Sequence, residues 1–156
     1  MIGFARSIDN GIEPLRKLAN KGLSPLLDLT IRLYMANIFF ASGRLKLDNY
    51  LNNDWGSTVF LFEEIHPVPG IPAETAAIMG TGGEIILPIL LAFGLFGRFA
   101  AGGLLALTAV IQFAVPADYG VSNPEHYLWM LLLAVPFLKG PGAISLDYLL
   151  LKGIRK

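Results

Sequence analysis

Apolar residues run through this chain in long blocks, and charges interrupt those blocks at only a few places. The first stretch is patterned differently. Phe4, Ile8, Ile12, Leu15 and Ala19 recur at three- and four-residue spacing, while Arg16, Lys17 and Lys21 fall on other faces. This spacing predicts an amphipathic helix over residues 1–24 lying in a membrane interface, with a polar tail as the alternative. No small-residue cleavage site precedes the first long apolar block near Leu26, so the segment is expected to be retained rather than removed as a signal peptide.

Ser24 and Pro25 fit an N-cap and a first helical position, and they open an apolar run from about Leu26 to Gly43, long enough to cross a bilayer core. Residues 44–72 are too polar and Pro-rich to span and read as an external loop that dips into the interface. Pro72 restarts a helix to about Phe93, Gly94 to Arg98 make a tight turn, and a third span follows over roughly Phe99 to Val115. Pro116 to Pro124 form the next connection. A short fourth span runs from Glu125 to Leu138 and ends at Lys139-Gly140-Pro141-Gly142, with an amphipathic piece over Ile144 to Leu151 beyond it. The pattern predicts an all-α membrane protein: a four-transmembrane-helix bundle over residues 25–140, an amphipathic interfacial segment before it and a basic cytoplasmic tail over 141–156.

Composition agrees with that pattern and removes several function classes. The chain is 54% hydrophobic and 15% charged, with a mean hydropathy of +0.57, whereas soluble domains carry about 25% charged residues. Its 12 basic and 12 acidic side chains cancel, so it lacks the basic footprint of a nucleic-acid binder. With no cysteine it has no thiol nucleophile, disulfide or thiolate metal site. No nucleophile motif, phosphate-binding loop or haem-attachment sequence occurs, and no covalently bound cofactor is expected.

The distribution of basic residues sets an expected orientation. Arg6, Arg16, Lys17 and Lys21, then Arg98, then Lys139, Lys152, Arg155 and Lys156 all fall on one side of an even-numbered bundle. The positive-inside rule puts that side, with both termini, in the cytoplasm.

Charges inside a hydrocarbon core cost a few kcal/mol each and tend to mark a functional interior. Asp28 and Arg32 lie one turn apart, and the same face continues through Met35, Phe39, Gly43 and Lys46, so that face is expected to point into the bundle. Glu84 sits mid-span beside Gly80, Gly82 and Gly83, which allow close approach of a neighbour. Depth counting at about 1.5 Å per residue predicts that Arg32 and Glu84 meet. Asn37, Arg98 and Gln112 complete the set of intramembrane polar candidates. The functional reading of this set is a polar pocket for a headgroup such as a quinone, or a proton path; the structural reading is a neutralising network that fixes helix register.

His66 and His126 are both expected on the outer side near Glu63, Glu64, Asp118 and Glu125, but their spacing fits no metal motif and no metal is expected. Tyr119, Tyr127 and Trp129 fit an interfacial aromatic belt.

Ile31-Arg32-Leu33, Phe39-Phe40-Ala41-Ser42-Gly43 with Lys46, Gly83-Glu84, and Gly94-Leu95-Phe96-Gly97-Arg98-Phe99-Ala100 occur in an order and spacing that resemble the DoxX family of small four-span bacterial membrane proteins. The resemblance covers about Leu26 to Leu138. It implies a subunit of, or partner to, a membrane oxidoreductase such as thiosulfate:quinone oxidoreductase, or a companion of oxidative- or metal-stress systems, and it assigns no catalytic residue. Arg32, Gly43, Lys46, Glu84, Gly94 and Arg98 match recurring positions of that family. The function expected is a membrane subunit that anchors a redox partner and lines a quinone pocket. The alternatives are a small-solute or proton permease linked to stress tolerance, and a non-catalytic scaffold. Expected partners are the lipid bilayer and a protein in a membrane complex, and the small residues of the second and third spans also permit a homo-oligomer.

Overall fold

Seven positions on one helix carry much of the architecture. Asp28, Arg32, Met35, Phe39, Gly43 and Lys46 recur at three- and four-residue intervals with Ala36 beside Met35, and the computed structural model, which describes residues 11–154, buries all of them on the inner face of one long helix. This helix, α2, spans Ser24–Leu51. Residues 11–18 form a preceding helix, α1, joined to α2 without a break through a π-turn at Ala19–Leu23. The span begins at Ser24 as expected, but the expected N-cap role of Ser24 is corrected: Ser24 is helical, its N–H donates to the Ala19 carbonyl, and its hydroxyl accepts from Lys139 rather than capping a helix. Residues 1–10 of the predicted interfacial helix lie outside the described residues.

The end of the first span is corrected as well. The expected break after Gly43 does not occur, because α2 continues through Arg44 and Lys46 to Leu51. The segment read as a loop holds a short helix α3 (Trp55–Phe60) and a π-turn at Leu61–Ile65. Then come α4 (Ala73–Phe93), α5 (Gly97–Ala109) extended by a π-turn at Val110–Ala114, α6 (Pro124–Lys139) and α7 (Leu146–Ile154). There is no strand among the described residues.

The four long helices pack as a ring. α2 lies chiefly on α4, α4 on α5, α5 on α6, and α6 closes the ring against α2. Met35, Phe39, Leu91, Ala100, Ala101, Leu104 and Leu133 form the core at its centre. The outer surface is largely apolar, with Leu33, Phe40, Ile78, Ile86, Phe93, Phe99, Phe113, Leu131 and Leu138 all exposed, whereas Asp28, Arg32, Lys46, Glu84, Gln112 and His126 are buried. Such inside-out polarity is what a hydrocarbon solvent selects and water does not. By length and composition two helices are fit to cross a membrane, Ala73–Phe93 and Gly97–Ala114. α2 carries charges and α6 has only 16 residues.

Candidate functional site

The buried charges separate into two groups about 14 residues apart on α2, which at 1.5 Å per residue is about 21 Å. The first group, around Asp28 and Arg32, is engaged with helix ends. The Arg32 guanidinium, 1% exposed, donates from Nη1 to the carbonyls of Leu91 (3.2 Å) and Ala92 (3.0 Å) and from Nη2 to the carbonyl of Ile144. Leu91 and Ala92 lie in the last turn of α4, where the ladder of backbone hydrogen bonds runs out and Leu91 keeps only the Gly94 N–H at 3.1 Å, so a cation there both satisfies carbonyls and opposes the helix dipole. Gly94 ends α4 at φ +64°, and a Cβ at that position would collide with Arg32 Nη1 and stand 2.5 Å from Ser145 Cβ, so glycine is required twice over.

The neighbouring groups do similar work. Asp147 of α7 accepts the N–H of Phe96 (2.9 Å) and of Gly97 (2.8 Å), capping the start of α5 and holding Phe96 at φ 49°. Asp28 pairs with Lys139 at 2.8 Å from both carboxylate oxygens, and Gly142 leaves room for that carboxylate, since a Cβ there would lie 2.8 Å from Asp28 Oδ2. Arg98 is exposed and reaches the Lys139 carbonyl at 3.4 Å. Residues 141–154 are thus tied into the bundle through Ile144, Ser145 and Asp147.

The predicted meeting of Arg32 with Glu84 does not occur. Glu84 pairs with Lys46 instead, Nζ to Oε2 at 2.6 Å, with side chains 10% and 9% exposed, and Lys46 also donates to Ser42 Oγ at 2.7 Å. The register follows from Gly43: a Cβ there would sit 2.7 Å from the Glu84 carbonyl carbon and oxygen, so the α2 and α4 backbones cross at Gly43 and Glu84. Pro88 contributes, because it has no N–H to give the Glu84 carbonyl four residues earlier. Counting back along antiparallel helices from that crossing puts Arg32 at the end of α4, not at its middle.

Lys46 and Glu84 line a cavity of about 430 Å³, within the range typical of small-molecule sites. Its walls are mainly apolar and come from α2 (Ile38, Phe39), the 61–71 segment, α4 (Ala76, Met79, Gly80) and α5 with its π-turn (Leu107, Val110, Ile111). Polar atoms enter from Ser42, Asn123 and both histidines. Both π-turns that border it, Leu61–Ile65 and Val110–Ala114, widen the helix at the cavity wall, a feature frequent at functional sites. Ile71 and Met79 line the cavity while being 39% and 62% exposed, so its wall continues onto the apolar outer surface.

His126 Nδ1 lies 2.8 Å from Gln112 Oε1, and its ring packs 5.1 Å from Trp129, which meets Phe39 edge-on at 5.8 Å. Trp129 therefore faces inward, contrary to its expected place in an aromatic belt, whereas Tyr119 and Tyr127 are exposed. His66 Nδ1 is buried without a hydrogen-bond partner, as are Thr81 Oγ1 and Arg32 Nε. Burial pushes the His66 ring below the usual imidazole range, and the nearby Lys46 cation adds to that shift.

Of the remaining candidates, Asn37 is exposed on the outer side of α2, away from the cavity, and Gln112 supports His126 from behind the lining. Gly80 admits the Phe62 ring, which a Cβ would approach to 2.7 Å, and Gly83 is contacted by Leu107, but Gly82 has no neighbour within 4 Å and is not a packing position. No group of three or more His, Cys, Asp or Glu able to hold a metal occurs among the described residues. Ser42, Lys139, Asp147 and Trp129 were not singled out by sequence reasoning as site residues. Ser42 and Lys139 stood in blocks already noted, while nothing in the sequence marks Asp147 as a cap for a distant helix.

An all-helical chain with helices fit to span a bilayer, an apolar exterior and internally paired charges is a membrane protein. Its sequence relations agree: the chain belongs to the DoxX family, whose model matches residues 27–117. A Haemophilus influenzae protein described as uncharacterized is 30% identical over 131 residues, 80% of this chain and 83% of that one. No solved structure matches significantly.

Proposed function

We propose that this protein is a four-span inner-membrane protein that binds a quinone headgroup in the cavity beside Lys46 and Glu84, and that it serves a membrane oxidoreductase system as an anchoring subunit. The observation carrying this reading is the cavity itself: apolar walls that run onto the lipid-facing surface at Ile71 and Met79, with a buried ion pair and two histidines at its polar positions. A lipid-soluble ligand with a polar head matches that distribution, whereas a polar solute would have to pass an apolar rim.

The ring of four long helices supports the reading of four crossings. α2 has 28 residues, about 42 Å of helix; its charges at Asp28, Arg32 and Lys46 face inward, where Lys139, Glu84 and backbone carbonyls compensate them, and the outward Arg44 and Asp48 pair with each other near its end. α6 is shorter, about 24 Å, and packs beside α5 along the same ring. The basic residues at the Arg98 and Lys139 end support cytoplasmic termini.

Quinone retained through purification in native-lipid discs, measured by extraction and mass spectrometry, tests the reading. Wild-type protein is expected to retain quinone, and Glu84→Gln and Lys46→Met are expected to lose most of it. No quinone above empty discs in folded wild type would reject the proposal.

A further inference from the structure

The cavity assigned above to a quinone has hydrogen-bond directions that its surroundings fix. Asn123 N–H donates to Gln112 Oε1 (3.2 Å), and Gln112 Nε2 donates to Ser122 Oγ (2.8 Å). A backbone N–H can only donate, so the atom of the Gln112 amide that lies 2.8 Å from His126 Nδ1 is its oxygen. That oxygen can only accept. Nδ1 therefore carries a hydrogen, and in the neutral ring the lone pair resides on Nε2. His126 is 8% exposed, lies within a continuous packing of Phe39, Trp129 and His126, and lines the cavity.

Among the cavity's other polar groups, Lys46 is the charged donor. Lys46 Nζ has three N–H groups, and Ser42 Oγ and Glu84 Oε2 take two of them. The remaining one can serve any oxygen of a bound headgroup, oxidised or reduced. Nε2 of His126 cannot. A quinone presents only carbonyl acceptors, and an acceptor set against the Nε2 lone pair in the apolar-walled cavity leaves both without a donor, whereas a quinol hydroxyl donates to Nε2 and still accepts from Lys46.

Resting on the quinone reading, we propose that this site selects the reduced dihydroxy form of the ligand, with His126 Nε2 as the acceptor that reads the hydroxyl and Gln112 as the residue that sets its tautomer. No electron or proton transfer is required for this selection; it is a difference in binding between two redox states of one ligand.

The test uses the full chain in lipid discs and a decyl-substituted benzoquinone, supplied either oxidised or as its quinol kept reduced by dithionite under argon. The bound amount is read against empty discs. Wild-type protein is expected to bind the quinol about tenfold more tightly, the discrimination conferred by one acceptor that a bound headgroup cuts off from water and leaves unpaired. His126→Phe keeps a ring against Trp129 but removes the Nε2 acceptor, and is expected to cut the quinol preference several-fold while quinone binding persists, the Glu84 carboxylate being the acceptor left in the lining. Equal affinities in wild type, a preference for the quinone, or a full quinol preference surviving in His126→Phe would each overturn the inference while leaving quinone binding in place. If neither form binds above empty discs, the quinone reading itself fails and this inference with it. Should His126→Phe not fold, the wild-type ratio decides alone.

Discussion

The two charged clusters on α2 look alike in sequence and behave differently in the fold. At the Asp28–Arg32 end, the guanidinium serves carbonyls of α4 and of the 141–145 turn, Asp147 serves the amides of α5, and Asp28 is held by Lys139. These groups finish helices. At the Lys46–Glu84 end, the charges hold each other and face a cavity, and a histidine nitrogen beside them has no partner. A buried charge committed to backbone groups is structural, whereas one that keeps a hydrogen-bonding capacity beside a cavity is available to a ligand.

That distinction is most strongly tested at Arg32. Arg32→Ala takes the guanidinium donors from three carbonyls and withdraws a buried cation near Asp28 and Asp147, so a loss of about 3–5 kcal/mol is expected in unfolding measurements in detergent. Arg32→Lys should recover little, since a point charge cannot reproduce the planar fork. Near-normal stability of Arg32→Ala would break the comparison from the structural side.

At the other end, Glu84→Gln leaves the Lys46 cation without its carboxylate, and a loss of about 2 kcal/mol is expected, moderated because the cavity can admit water to the ammonium. The double variant Lys46→Met with Glu84→Leu should return to within about 1 kcal/mol of wild type while remaining unable to hold ligand. Stability rescued together with binding would mean the pair is only a register pin.

A smaller effect concerns His66, whose folded pKa is depressed by burial and by Lys46, with Glu84 opposing and His126 adding to the shift. A depressed folded pKa means that the unfolded chain takes up the proton first. Stability is therefore full above the ordinary imidazole value of about 6.5 and falls as pH drops below it. His66→Phe should flatten this part of the pH profile. The smallest effect is expected at Gly82→Ala, within about 0.5 kcal/mol, because nothing stands within 4 Å of the added carbon.

Much of this was legible in the sequence, and the errors share one cause. The bounds of α4 and α6 follow from local punctuation, Pro72 before one and Asn123-Pro124 with Gly140 around the other, and each expected bound falls within a residue or two of the observed one. The inner face of α2 was readable because its period is that of a helix. What could not be read was the register between helices. Ending the first span at Gly43 placed its middle near Arg32, and so paired Arg32 with Glu84; the helix in fact runs on to Leu51, because Glu84 neutralises Lys46 and Gly43 sets the crossing point. The cap made by Asp147 and the tautomer of His126 depend on contacts across 50 and 14 residues of chain, which no local pattern encodes.

The central claim is that the cavity beside Lys46 and Glu84, and not the Arg32 end, holds a lipid-soluble headgroup. A photoreactive azido-quinone cross-linked to the protein in lipid discs, followed by mass spectrometry of the labelled peptides, tests it most directly. Labelling confined to residues 38–46, 61–84, 107–115 and 121–129, and suppressed by excess unlabelled quinone, is the predicted result; labelling centred on residues 91–98 and 139–148, or labelling that excess quinone does not suppress, would contradict it.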